Sequence, residues 1–305
     1  MSQNIILTSE NLTNKDRGNN RLEYIFPQDV TFEKGDKVAL STINLYYSWF
    51  NISEKTYGNN FFQYKWFNNV DGQVTDIFDV VVPDGYYTID TLYEYFQTVM
   101  VANGHYLELI SGGTFMYFIE IKVNSTYYAS SVRLSTVSTT YNFGNGNVAI
   151  TDQVKVPSTW VIPDGIFVAP ELIIPSNNNF GKLLGFQSGQ TLQVPAGTST
   201  QLTHSHLSTT APNMNPSSSF IVTCSLVDNP LAVPNNIIFS FSLGSEPFGG
   251  SVIPFNSTEM LYSYIKPGKY RSVVLQIYDQ EFRPLQIRDP TMLMNLSFIL
   301  APREE

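Results

Sequence analysis

The stretch that most constrains the fold runs from Lys269 to Leu300, KYRSVVLQIYDQEFRPLQIRDPTMLMNLSFIL. Val273, Leu275 and Ile277 alternate with Ser272, Gln276 and Tyr278, Val274 excepted. A polar break at Asp279, Gln280 and Glu281 precedes Pro284, and Leu285 and Ile287 then resume the alternation against Gln286 and Arg288. Beyond Asp289-Pro290, Met292, Met294, Leu296, Phe298 and Leu300 oppose Thr291, Asn295 and Ser297. Period-two alternation between turn residues is the signature of antiparallel strands with one face on a core and one in water. So apolar a strand is an aggregation edge unless it is paired inside a sheet. Strands from earlier in the chain are therefore expected to lie beside it.

Charged residues make up only 14% of the 305 residues, and aromatics another 14%; average domains carry about 25% charge. Asn, Ser, Thr and Tyr fill the difference, which gives the uncharged polar surface common to lectins, viral coats and extracellular β proteins. The net charge is −9, from 17 Lys and Arg against 26 Asp and Glu. The loosest basic concentrations are Lys15-Arg17-Arg21 and Lys266-Lys269-Arg271, too sparse for phosphate neutralisation, so no nucleic-acid partner is expected. No apolar run approaches the ~18 residues of a membrane span, and no membrane partner is expected. The start, MSQNIILTSENLT, lacks the basic and apolar regions of a signal peptide, which points to a cytoplasmic origin. Cys224, the single cysteine, lies in the apolar run FIVTCSLV and reads as a buried, inert thiol.

Along the chain, Ile5 to Thr8 predicts a short strand, followed by a polar arm that completes residues 1–20. Arg21 to Phe26 predicts a strand closed by Pro27, and Lys37 to Ile52 a long one. Strands are also expected at Asn59 to Phe67 and Phe78 to Val82. Leu92, Phe96, Val99 and Met100 form one apolar stripe at helical spacing, capped by Thr88 and stopped by Asn103-Gly104, so a helix is predicted near 89–103. Phe115 to Val123 and Val148 to Val156 resume the strand pattern, with a Gly/Asn turn at 141–147 between. Asn179 to Phe186 predicts one helical turn capped by Asn179 and stopped by Gly185, and 187–219 a long loop. FIVTCSLV and NIIFSFSL predict a strand pair before the C-terminal block. Many strands with uneven loops and no repeat indicate an all-β sandwich or jelly roll rather than a propeller.

Catalytic chemistry finds no constellation, and no enzyme is expected. His204 and His206 could meet a metal, but no third ligand is near in sequence, and they read as solvated loop residues. His105 follows the helix stop, a place that favours a cation, but reads as a structural residue. In the Gly185–Gly189 segment Ser188 falls one position late for a nucleophile elbow. Gly144-Asn145-Gly146 precedes no helix that could cradle a phosphate. Asp84/Asp90 or Asp164/Glu171 could be imagined as a glycosidase dyad, as any acidic chain allows. No cofactor or metal is expected. The competing binding function is a non-catalytic carbohydrate- or receptor-binding β-sandwich, with Trp49, Trp66 and Trp160 as stacking platforms for a glycan.

The blocks YDQEFRPLQIRDPTMLMNLSFIL, FGKLLGF and VPDGYYTIDTLYEYFQ, with the pair FIVTCSLV and NIIFSFSL, together resemble the penton proteins of virophages and polinton-like viruses. That resemblance implies a single jelly roll forming a homopentamer at the fivefold vertices of an icosahedral virion. The partners it implies are the chain itself and a double-jelly-roll major capsid protein, with assembly in the host cytoplasm. It also implies an inserted region, expected within 105–215, between a first jelly-roll part at 21–104 and C-terminal strands at 216–305. Lys15, Arg17 and Arg21 on the arm would then suit a flexible tie to neighbouring capsid proteins.

Overall fold

A computed structural model describes residues 2–15, 17–136, 140–142, 147–149, 154–163, 168–195, 203–243, 250–256 and 259–302. The chain divides into two compact units: Met1–Phe50 with Ser217–Glu305, and Asn51–Pro216.

The first unit contains the strands β1 (Ser2–Thr8), β2 (Arg21–Phe32), β3 (Lys37–Tyr46), β4 (Ser219–Cys224), β5 (Ile237–Ser242), β6 (Val252–Asn256), β7 (Gly268–Asp279) and β8 (Met292–Ile299). They form two antiparallel sheets, one in the order β1-β8-β3-β6 and the other β2-β7-β4-β5. The short strand Ser263–Tyr264 also pairs with β3. Except at the β4–β5 hairpin, each strand is followed in sequence by one of the opposite sheet. That is the strand order of a jelly roll. The inner faces meet in one core, with Leu7, Ile43, Met294 and Leu296 from one sheet and Leu22, Val222, Leu275 and Ile277 from the other. Phe32 of β2 stacks on Phe298 of β8 with ring centres 5.8 Å apart. The apolar C-terminal strand lies between β1 and β3, with Ile5 opposite Leu296 on one side and Ile43 opposite Met294 on the other.

Several local expectations change. Strand β2 does not stop at Pro27; it runs on to Phe32 through a register shift between Ile25 and Val30. A bulge on an edge strand is where a residue without an N–H is tolerated. Strand β3 ends at Tyr46 instead of reaching Ile52, while Tyr47 and Trp49 stay buried beyond it. Leu285 and Ile287 are buried as the alternation predicts, yet they form no strand. Leu285 N donates to Ile277 O at 3.1 Å, and their other backbone groups bond to the segment expected to be an arm. Asn19 Nδ2 donates to the Ile287 carbonyl at 2.8 Å, Asn20 Nδ2 to that of Leu285 at 2.6 Å, and Ile287 N to Gly18 O at 2.8 Å. With β1 in the sheet and Leu12, Asn19 and Asn20 buried, residues 2–15 and 17–20 are part of the sandwich. The physical reason is that side-chain amides can satisfy buried carbonyls no strand reaches.

In the second unit, Phe61–Phe67 pairs with Val74–Val81 and with Glu171–Ile173, which Thr191–Leu192 extends. Ala129–Ser135 lies between Ile119–Asn124 and Thr203–Leu207. Val154–Lys155, Leu107–Leu109 and Thr114–Met116 form a small sheet, and Thr140–Asn142 pairs with Asn147–Ala149. Helix α1 (Ile89–Asn103) starts with the Thr88 hydroxyl accepting from Thr91 N and stops at Gly104 with φ 72°. Its stripe Leu92, Phe96 and Met100 is buried. Helix α2 (Phe180–Leu184) is not capped by Asn179; Asn178 Oδ1 accepts from Phe180 N at 3.0 Å instead. A further helical turn, Glu54–Tyr57, is capped by Ser53. The expected long loop after 187 carries the strands Thr191–Leu192 and Thr203–Leu207.

This unit begins at Asn51, well before residue 105. Phe62, Trp66, Val80 and Phe96, expected in the jelly roll, belong to its core together with Phe118, Leu134 and Leu172. His105 lies in that core at 2% exposure, in the structural role expected of it rather than as a cation at the helix end. Its ring stacks on Trp66 at 4.6 Å and meets the edge of Phe78 at 4.5 Å. Asn103 Nδ2 donates to the Tyr64 hydroxyl at 2.9 Å, and that hydroxyl lies 2.8 Å from His105 Nδ1. Burial pushes the imidazole down to about 3.

Two consequences can be measured. Asn20→Ala strands the buried Leu285 carbonyl and should lower the unfolding free energy of the first unit by about 1–3 kcal/mol in urea denaturation. His105, neutral when folded and near its ordinary 6.5 when unfolded, contributes stability that is complete above that value and is lost as pH falls toward 3. The second unit should therefore be roughly 2 kcal/mol less stable at pH 5 than at pH 7 from this group alone. His105→Gln should flatten that dependence; an unchanged pH slope in the variant would assign acid sensitivity elsewhere.

Candidate assembly surface

The catalytic and sugar-binding candidates are used up by the fold. Asp84 accepts from Ser53 Oγ at 2.8 Å and Glu54 N at 2.9 Å, holding the start of a helical turn. Glu171 is paired with Lys65 at 2.9 Å. Ser188 Oγ donates to the Asn178 carbonyl at 3.4 Å. Asp164 and Gly144-Asn145-Gly146 lie outside the described residues. Among the described residues no three or more His, Cys, Asp or Glu are grouped to hold a metal. Trp49, Trp66 and Trp160 are only 2%, 0% and 3% exposed, so none offers a face to a sugar, which overturns the stacking-platform expectation. Cys224 is buried, and desolvation pushes its thiol up to about 12; thiolate chemistry is thereby suppressed.

What the first unit does present is a set of unlike surfaces. At one end the Glu33–Asp36 turn, the β4–β5 loop and the β6–β7 connection are tied together. Ile265 N donates to Asp36 O, Lys266 N to Leu226 O, and Asp228 N to Tyr264 O, at 2.9, 2.9 and 3.1 Å. The β4–β5 loop closes on itself through Asn229 N to Asn235 O at 2.7 Å and Asn235 Nδ2 to Asp228 Oδ1 at 2.9 Å. Closure holds Leu231 and Val233 outward at 94% and 89% exposure, on the same end as exposed Leu261 and Tyr264. Grouped exposed apolar side chains mark interaction sites.

The two flanks differ from each other. On one, the edge strands β1 and β2 border a groove of about 300 Å³ lined by Ile5, Tyr24, Phe26, Val30, Phe298 and Leu300. On the other, β5 and β6 form the edges, where half-buried Phe239 and Phe255 pack with ring centres 4.6 Å apart, and Val252 of β6 is exposed on the outer face. At the far end of β3 from the Leu231 loop lie Phe50 and Ser217, where the chain leaves and re-enters the unit. There Arg288 sits 4.5 Å over the Phe50 ring. Asp279, nearly fully buried, takes Arg283 Nε at 2.7 Å, backbone N–H groups of Glu281 and Arg283 at 2.9 and 3.0 Å, and Ser217 Oγ at 3.3 Å.

The three cations singled out on the arm sit on or next to a folded loop. Lys15 Nζ is 3.9 Å from Glu10, and Arg17 is exposed. Arg21, at the start of β2, donates to Thr13 Oγ1 at 2.9 Å and lies 3.9 Å from Glu23. Composition alone could not reveal the Leu231 end, because Leu and Val in a short loop read as core until the loop's own closure is seen.

No protein-family model matches the chain, and no curated protein does. Among solved structures the chain is similar to the selenomethionine-labelled mavirus penton protein, with a TM-score of 0.48 and 11% identity over 99% of both chains. It is also similar to a chain in the 3.5 Å cryo-EM structure of the Sputnik virophage, with a TM-score of 0.42 and 12% identity over 98% of this chain and 97% of that one.

Proposed function

We propose that the protein is a structural capsid protein of a virophage-like virion, assembled in the host cytoplasm, five copies of which close a vertex ring among major capsid proteins. It acts by binding itself and its neighbours and catalyses nothing. The observation that carries this reading is the jelly-roll order completed by β7 and β8, the segment in which the sequence resembles penton proteins. A ring needs a heterologous interface between two different flanks. The β1/β2 groove and the β5/β6 edge supply such a pair, with few charges at either centre, as interface cores require. The Leu231–Val233 end would seat against the major capsid protein, with Lys15, Arg17 and Arg21 as accessory contacts.

Light scattering on a sizing column, with negative-stain images, tests the ring: the expected particle has five times the 34.3 kDa chain mass and fivefold views. Val252→Arg, at an exposed position of β6 on the β5/β6 flank, should convert it to monomers without changing its circular dichroism. Leu231→Asp with Val233→Asp should leave the ring intact and abolish its capture by major capsid protein. A chain that stays monomeric both alone and with major capsid protein would remove the vertex reading.

A further inference from the structure

Strand Thr203–Leu207 is an edge strand whose register sets His204 opposite Leu134 and His206 opposite Val132. Opposed residues of an antiparallel pair share a face, and Leu134 and Val132 are fully buried. Ile119 and Ile121 continue that face across the sheet. The core-side positions of this strand thus hold two half-buried imidazoles where the pattern of the sheet calls for Val or Ile. The sequence alone placed them in a solvated loop, where they would have been independent.

Their geometry is that of a chelate. The ring centres are 4.6 Å apart with planes at 69°. Imidazole nitrogens bind such ions at ~2.0–2.1 Å, which puts each ring centre ~3.2 Å from the ion; two rings at ~90° around it then have centres ~4.5 Å apart. His206 Nε2 is 3.0 Å from the Gln193 carbonyl. A carbonyl only accepts, so the proton is on Nε2 and Nδ1 carries the free lone pair. Ligating histidines characteristically donate their second nitrogen to such a carbonyl, which fixes tautomer and ring orientation.

We propose that His204 and His206 together bind one late divalent transition-metal ion, of the class Zn²⁺, Ni²⁺ or Cu²⁺, as a two-imidazole chelate completed by water. Imidazole pairs suit these ions, and a cis arrangement near 90° suits the tetragonal preference of Cu²⁺ and Ni²⁺. The ion would bridge two side chains on one face of the outermost strand of its sheet.

The test uses the full chain without an affinity tag. Calorimetric titration with Ni²⁺ should give one ion per chain, and His204→Gln or His206→Gln should each weaken binding at least about tenfold. His204→Gln should melt at the native temperature without metal, while in both variants the metal-induced rise in melting temperature, expected for an ion that binds only the folded state, should vanish. Should either variant fail to fold, electron paramagnetic resonance of the native chain with one equivalent of Cu²⁺ decides instead: two imidazole nitrogens in the spectrum support the chelate, fewer overturn it. Native protein that binds no ion, or folded variants that bind as tightly as native, would also overturn it.

Discussion

The fold depends on the two-sided pairing of β8. Its inward residues Met292, Met294, Leu296 and Phe298 are buried against the opposite sheet, while its backbone bonds to β1 on one side and β3 on the other. A strand so apolar has no soluble alternative with either side open. Satisfying it recruits the first strand of the chain and sets β1, β8 and β3 side by side. The partner sheet then follows, because β2 leaves β1 and must cross to pair with β7. In sequence the whole second unit lies between β3 and β4.

The polar surface and the assembly reading share a cause. With few charges available, the first unit manages its open edges with a proline bulge on β2, the amide bonds of Asn19 and Asn20, and a closed loop under Leu231 and Val233. None of these blocks association as a row of lysines would. Each leaves a shaped, weakly charged surface, and the two flanks are shaped differently. Such a body has little to keep copies apart and a directional way to come together.

Period-two patterning made β7 and β8 legible, and helical spacing with Thr88 and Gly104 made α1 legible to within a residue of its ends. What patterning cannot do is say which core a strand serves. Phe61–Phe67 and Val74–Val81 alternate as any half-buried strand does, and nothing local marks Asn51 as the point where the chain enters a second unit. The Thr203–Leu207 strand was hidden for a related reason: with histidines on its inner face and Ser/Thr around it, the strand carries no apolar signal. Asn19 and Asn20 look like loop polarity until Leu285 and Ile287, far away in sequence, are brought beside them. The tryptophans show the same limit, since aromatic richness does not distinguish a core from a binding platform.

The placement of the second unit has a consequence for how the chain comes off the ribosome. Strands β1 to β3 emerge first but lack β4 to β8, and they must wait unpaired until residues 217–299 have been made. The second unit is contiguous, so all of its contacts can form while the jelly roll is still half absent. Domains fold as units during synthesis, and contacts across such separations are slow to form. The inserted unit would then be complete early, with its own two chain ends close together, as the 2.6 Å bond from Asn51 Nδ2 to the Met214 carbonyl shows. It would act as a built-in loop closure for the fold that surrounds it.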